Sequence, residues 1–129
     1  MTDVRYEDIL DRTLGGWWDS GLEAEMNQHL DFIADIDLSE PDYSFDLLRI
    51  YVRRHDGMIL WATDSGCSCP SPFEEVAVRD LKEATLATPV DTFIRESGWT
   101  ADGYSTVPEA DLRKDIGDAL REAAKRGAR

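Results

Sequence analysis

The sequence predicts an α+β fold, a three-stranded antiparallel meander with helices packed on one face. Three observations lead there. Apolar and polar residues alternate with period two across "LDFIADIDL". A β-branched and aromatic run, "YSFDLLRIYVRR", is followed by an Asp-Gly turn signal. Helical periodicity then returns in the last third of the chain behind recognisable start signals.

Taken in order, residues 3–14 predict a short helix, with Tyr6, Ile9, Leu10 and Thr13 at helical spacing and Gly15-Gly16 ending it. Trp17 and Trp18 follow as neighbours. Adjacent residues cannot share one face of a regular element, so one Trp plugs the core while the other covers a rim or meets a partner. Ser20 and Glu23 have the spacing of a capping box and predict a brief helical turn. In the first strand Leu30, Phe32, Ala34, Ile36 and Leu38 form an apolar face. Asp31, Asp35 and Asp37, with Ile33 among them, form an acidic one.

Ser39-Glu40-Pro41-Asp42 is a turn, and Asp56-Gly57 is a two-residue hairpin signal of the primed type, returning the chain into "MILWATD". That loop places Val52 opposite Trp61, Ile50 opposite Thr63 and Arg49 opposite Asp64, with Leu48, Ile50, Val52, Ile59 and Trp61 on the core face. Phe32 opposite Ile50 adds Leu30, Ala34 and Ile36 to the same face. Residues 74–83 read equally as a short strand or a turn of helix. Thr88-Pro89-Val90-Asp91 opens a helix that stops at Ser97-Gly98, and a loop carrying Trp99 and Tyr104 follows. Thr106 and Glu109 have capping-box spacing ahead of the longest helix, whose stripe is Leu112, Ile116, Ala119, Leu120 and Ala123. The whole, 1–129, reads as a single α+β domain: a helical and loop segment (1–28), the meander with its Cys-Pro corner (29–73), and a helical part (74–129).

A net charge of −13 is the strongest compositional fact, and it is unevenly placed. Residues 1–47 hold thirteen acids against Arg5 and Arg12, a balance of −11, which leaves −2 for the rest. Such a polyanion disfavours direct nucleic-acid or anionic-membrane binding and favours a partner with a basic surface. No apolar run is long enough to span a membrane. The polar, acidic start is unlike a leader, so the expected compartment is the cytoplasm, where both cysteines stay reduced.

Both cysteines sit in "DSGCSCPSPF". Cys67 and Cys69 supply two thiolates, with Asp64, Asp46 or Asp37 as further donors, yet a structural zinc site takes four ligands and two thiolates with two carboxylates is an unusual set. His29 and His55 are placed toward the far end of the ladder, about 30 Å away at strand rise. Cys-x-Cys followed by Pro70 and Pro72 is not a helix-borne dithiol. The plainer reading is a rigid corner with buried, reduced thiols and Phe73 as its anchor. No catalytic constellation, phosphate loop or cofactor motif stands out, so the chain is expected not to be an enzyme and to carry no cofactor.

The stretch "PDYSFDLLRIYVRRHDGMILWATDSGCSCPSPFE", within 29–85, resembles small proteins encoded by actinobacterial phages and prophage-bearing actinobacteria. "WATDSGCSCPSPFE" is its most specific element. The resemblance implies a viral context and a GC-rich host, in keeping with eleven Arg against three Lys, and it carries no functional residue across. The expected function is a non-enzymatic accessory protein that binds a host or viral protein, with Asp31, Asp35 and Asp37 steering and Trp17, Trp18 or Trp99 as anchors. A nucleic-acid mimic is one version of it. The alternatives are a metal- or thiol-dependent protein using Cys67 and Cys69, and a virion or assembly component that self-associates through a strand edge.

Overall fold

The computed structural model describes residues 3–15, 20–40, 44–67, 72–103 and 105–129, with backbone alone for Ser20 and Cys67. It is α+β, as expected, but the antiparallel sheet has four strands rather than three. They run in sequence order: β1 (Leu30–Asp37), β2 (Ser44–Arg53), β3 (Ile59–Cys67) and β4 (Lys82–Ala84). β4 settles the ambiguous segment 74–83 by pairing its three residues with Ile59, Leu60 and Trp61. Among the described residues three α-helices accompany the sheet: α1 (Ser20–Asn27), α2 (Val90–Ser97) and α3 (Glu109–Lys125). None is long and apolar enough to cross a membrane.

Helices do not all pack on one face, which corrects the second half of the expectation. α2 and α3 bury Phe93, Ile94, Leu112, Ile116 and Ala119 against Ile36, Leu48, Ile50, Ile59 and Trp61. On the opposite face α1, the N-terminal segment and the chain after the Cys-Pro corner cover a second core of Ile9, Leu14, Met26, Leu30, Tyr51, Leu60, Phe73 and Val78. The reason is visible in β2 and β3, where Tyr51, Leu60 and Ala62 give the second face apolar surface that also has to leave water.

The expected N-terminal helix shrinks to a 3-10 turn at Tyr6–Ile9. Residues 10–14 instead run antiparallel to 76–79, with Leu14 N–H to the Val76 carbonyl at 2.8 Å, Val78 N–H to Arg12 at 2.9 Å and Arg79 N–H to Leu10 at 2.9 Å. Distant backbone pairing supplies these groups with partners and overrides local helix propensity. The Thr106–Glu109 capping box does not form either. Thr106 bridges Ser39, its hydroxyl donates to the Gly103 carbonyl, and Pro108 takes the N-cap of α3.

The β2–β3 register is two residues from the expected one: Val52 faces Ile59, Ile50 faces Trp61 and Arg49 faces Ala62. A shift by two leaves every side chain on its expected face. Its cause is the loop. Arg53 N–H donates to Met58 and Gly57 N–H to the Arg53 carbonyl, each at 2.8 Å, closing a four-residue turn over 54–57. Asp56 is clamped inside it by Arg53, Nε–Oδ1 3.0 Å and Nη2–Oδ2 2.7 Å, and accepts from Met58 N–H at 3.1 Å. Arg53 holds the Asp56 carboxyl well below the usual carboxylate range. A carboxyl depressed by folding stabilises fully above its unfolded value near 3.8 and loses that contribution as pH falls through its folded value. The urea-midpoint gap between the native protein and Asp56→Asn is therefore expected to be full at about pH 5 and to shrink steadily from about pH 4 downward. A gap independent of pH would show that the clamp contributes nothing through charge.

β1 carries the larger surprise. Its register with β2 slips between Phe32 and Ala34: Phe32 faces Tyr51, while Ala34 faces Ile50 and Ile36 faces Leu48. The extra residue, Ile33, makes a β-bulge that turns the strand over. Leu30 and Phe32 thus lie on the second face, and Ile33 and Ala34 both pack toward the core under α3. The proposed single apolar face of β1 is split in two.

Candidate functional site

The bulge also divides the expected acidic row. Asp31 meets Arg126 of α3 at 2.9 Å and Arg54 at 3.7 Å. Asp35 lies directly across from Arg49 and receives it in a two-pronged pair, Nε–Oδ1 2.7 Å and Nη2–Oδ2 2.9 Å. Asp37 is exposed, with no salt bridge among the described residues. Two of the three steering candidates are thus committed to ion pairs within the fold.

Arg49 organises the second face. Its third nitrogen donates to the Leu14 carbonyl at 3.2 Å, and its guanidinium carbon stands 4.3 Å from the centre of the buried Phe73 ring. Burial lowers the Arg49 pKa, but the bonds to Asp35 outweigh it and the net direction is upward. Burial likewise raises the Tyr51 hydroxyl beside it. The guanidinium is a fixed structural cation with its fork filled.

Cys67 closes β3 at the end of the sheet away from the hairpin, where its backbone pairs in register with Ser44, and the chain is described again from Pro72. Cys69 lies outside the described residues, as do Trp17 and Trp18. The Asp64 carboxylate accepts the Phe73 N–H at 2.8 Å and helps to hold that residue at φ 66°. Both histidines flank Tyr6 at the opposite end, His55 at 5.3 Å and His29 at 6.0 Å between ring centres. Among the described residues no group of three His, Cys, Asp or Glu converges to hold a metal ion. Trp99 is half-buried against the α2–α3 core and donates its indole N–H to the Val107 carbonyl at 3.0 Å. Packing and that bond account for most of its surface.

What the residue-by-residue reading missed is a groove. The outer edge of β1 and the flank of α3 enclose about 370 Å³, lined by β1 residues 33–37 together with Asp115, Asp118, Ala119 and Glu122. Five of the lining residues are acidic and none is basic: α3 contributes Asp115, Asp118 and Glu122, and β1 contributes Asp35 and Asp37 along its edge. Lys114 and Arg121 pair with Asp118 and hold its carboxyl below its ordinary value. Its signal in the sequence was the spacing 115, 118, 122, which puts three acids on one helix flank.

The fold and this groove define a small acidic α+β domain built on a four-stranded antiparallel sheet. Residues 23–126 match the family described as Domain of unknown function (DUF7574), and the chain belongs to that family. No curated protein and no solved structure matches it.

Proposed function

We propose that this chain is a non-enzymatic protein-interaction module, an accessory protein of phage type that acts in the host cytoplasm by binding a host or viral protein with a basic surface. One observation carries the reading: a net charge of −13, concentrated as −11 in residues 1–47. Charge at this density accelerates encounter with a basic patch and rejects nucleic acid and anionic lipid. The phage assignment is supported by the resemblance of residues 29–85, and interference with a nucleic-acid-binding groove is one form that the activity takes.

Affinity capture from a host lysate tests it. At low salt the immobilised protein is expected to retain a basic protein, and retention should fall at least tenfold between about 50 mM and 500 mM salt as the screening length contracts. Retention of nothing, or of a partner indifferent to salt, overturns the proposal.

A further inference from the structure

β1 and β4 are the two edges of the sheet. β4 is three residues long and carries Lys82, a short and charged edge of the kind that resists strand addition. β1 differs. After the bulge its ladder bonds alternate, and Leu38 N–H donates inward to Asp46 at 2.8 Å. Residues two apart point the same way, so Ile36 and Ala34 also face β2. The backbone N–H and C=O of Asp35 and Asp37 therefore point outward. No described residue bonds them.

This opening is bounded on both sides. On one side Arg126 donates to the Phe32 carbonyl at 3.3 Å. On the other the chain is already paired: Val107 N–H to Leu38 at 3.2 Å, Glu40 N–H to Ser105 at 2.7 Å, and Ser39 bridged to Thr106. Between them residues 33–37 leave about 16 Å of unpaired edge, room for an extended segment of about five residues. Carboxylates flank it on both faces. Asp37, with the Arg49-bound Asp35, lies on the second face, and Asp115, Asp118 and Glu122 line the α3 side. Asp37 and Asp115 make no salt bridge among the described residues. A strand laid along this edge sends alternate side chains to the two faces and meets acid on each.

We infer that the free edge of β1 is the docking surface, and that its occupant is an extended lysine- or arginine-rich segment of a partner protein, added to the sheet as a fifth strand. This rests on the interaction reading above and locates it. Backbone bonds to Asp35 and Asp37 supply the pairing, and the carboxylates select the sequence. A second copy of this chain fits poorly. Two β1 edges brought together would set Asp35 and Asp37 against their own images, with the acids of two α3 helices beside them.

The probe is an acetylated nine-residue peptide of three Lys-Lys-Val repeats, which presents lysine on both faces of a strand, measured by fluorescence anisotropy. It is compared with its Glu-Glu-Val counterpart and with a Lys-Lys-Val version methylated at every backbone nitrogen. The lysine peptide alone is expected to bind and to slow hydrogen exchange at the Asp35 and Asp37 amides. Backbone methylation should weaken it at least tenfold at unchanged charge, and so should Asp37→Lys combined with Asp115→Lys, two exposed positions whose replacement leaves the melting curve in place. Equal binding of the methylated peptide, protection elsewhere, no binding at all, or a peptide-free dimer protecting the same amides would each overturn the assignment. A salt-sensitive partner captured equally well by the double variant would remove this surface and leave the interaction reading standing; capture of nothing would remove both.

Discussion

Phe73→Ala is expected to destabilise the protein by about 3–5 kcal/mol, one of the two largest effects of any single substitution considered. The ring is fully buried in the core of the second face, among Leu14, Tyr51 and Ala62, and it forms the floor under the Arg49 guanidinium. Truncation therefore removes apolar contact and the ring face that the cation rests on. Phe73 also occupies positive φ, which a bulky side chain adopts only when its surroundings hold it there. Asp64 does part of that holding, so Asp64→Ala is expected to cost less, about 1–3 kcal/mol, by leaving the Phe73 N–H without its acceptor. Urea unfolding with a shared m-value gives the differences. A cycle of Phe73→Leu against Arg49→Met isolates the cation–ring part, expected at about 1 kcal/mol. A Phe73→Ala loss below about 1 kcal/mol would mean that the ring does not seal this core.

This corner shows what one-dimensional pattern reveals and what it hides. The alternation in β2 and β3 was readable because both strands keep strict period two, and a register error of two residues is invisible to side-chain facing. The four-residue turn was not readable. Asp56-Gly57 is a good primed-turn signal, but the bidentate grip of Arg53 on Asp56 stabilises a longer loop, and that grip depends on two side chains meeting in space. β1 failed for a different reason: a single bulged residue inverts all that follows. One trace of it was present, since Ile33 is the apolar member of an otherwise acidic row. The N-terminal helix failed because the partners of residues 10–14 lie more than sixty positions away, beyond any local window. For the candidate site, Asp31, Asp35 and Asp37 read as one acidic strand face, and of them only Asp35 and Asp37 border the groove. The groove needed α3 placed beside β1, a tertiary fact, before Asp115, Asp118 and Glu122 joined them.

Gly15→Ala is the second large effect, expected at about 3 kcal/mol or more. In sequence Gly15 looked like a helix stop; in the fold it is a crossing point. A Cβ built there would lie 2.0 Å from the Pro72 carbonyl oxygen and 3.1 Å from the Phe73 carbonyl carbon. Those atoms are backbone, so no rotamer relieves the contact, and the two strands of chain must move apart by more than an ångström. Moving them strains the Leu14–Val76 bond on one side and lifts Phe73 from its seat on the other. Gly98→Ala is the control. Its φ of 83° imposes backbone strain of about 1–2 kcal/mol, but nothing stands within 4 Å of the added methyl. The order Gly15→Ala well above Gly98→Ala thus separates steric crossing from backbone conformation. The crossing and the Phe73 seat are also one structural unit. Gly15→Ala combined with Phe73→Ala should therefore lose clearly less than the sum of the two single losses, because the second change loosens what the first has already opened. Strict additivity, or a Gly15→Ala variant with an unchanged urea midpoint, would show that the N-terminal segment does not pass over the corner in this way.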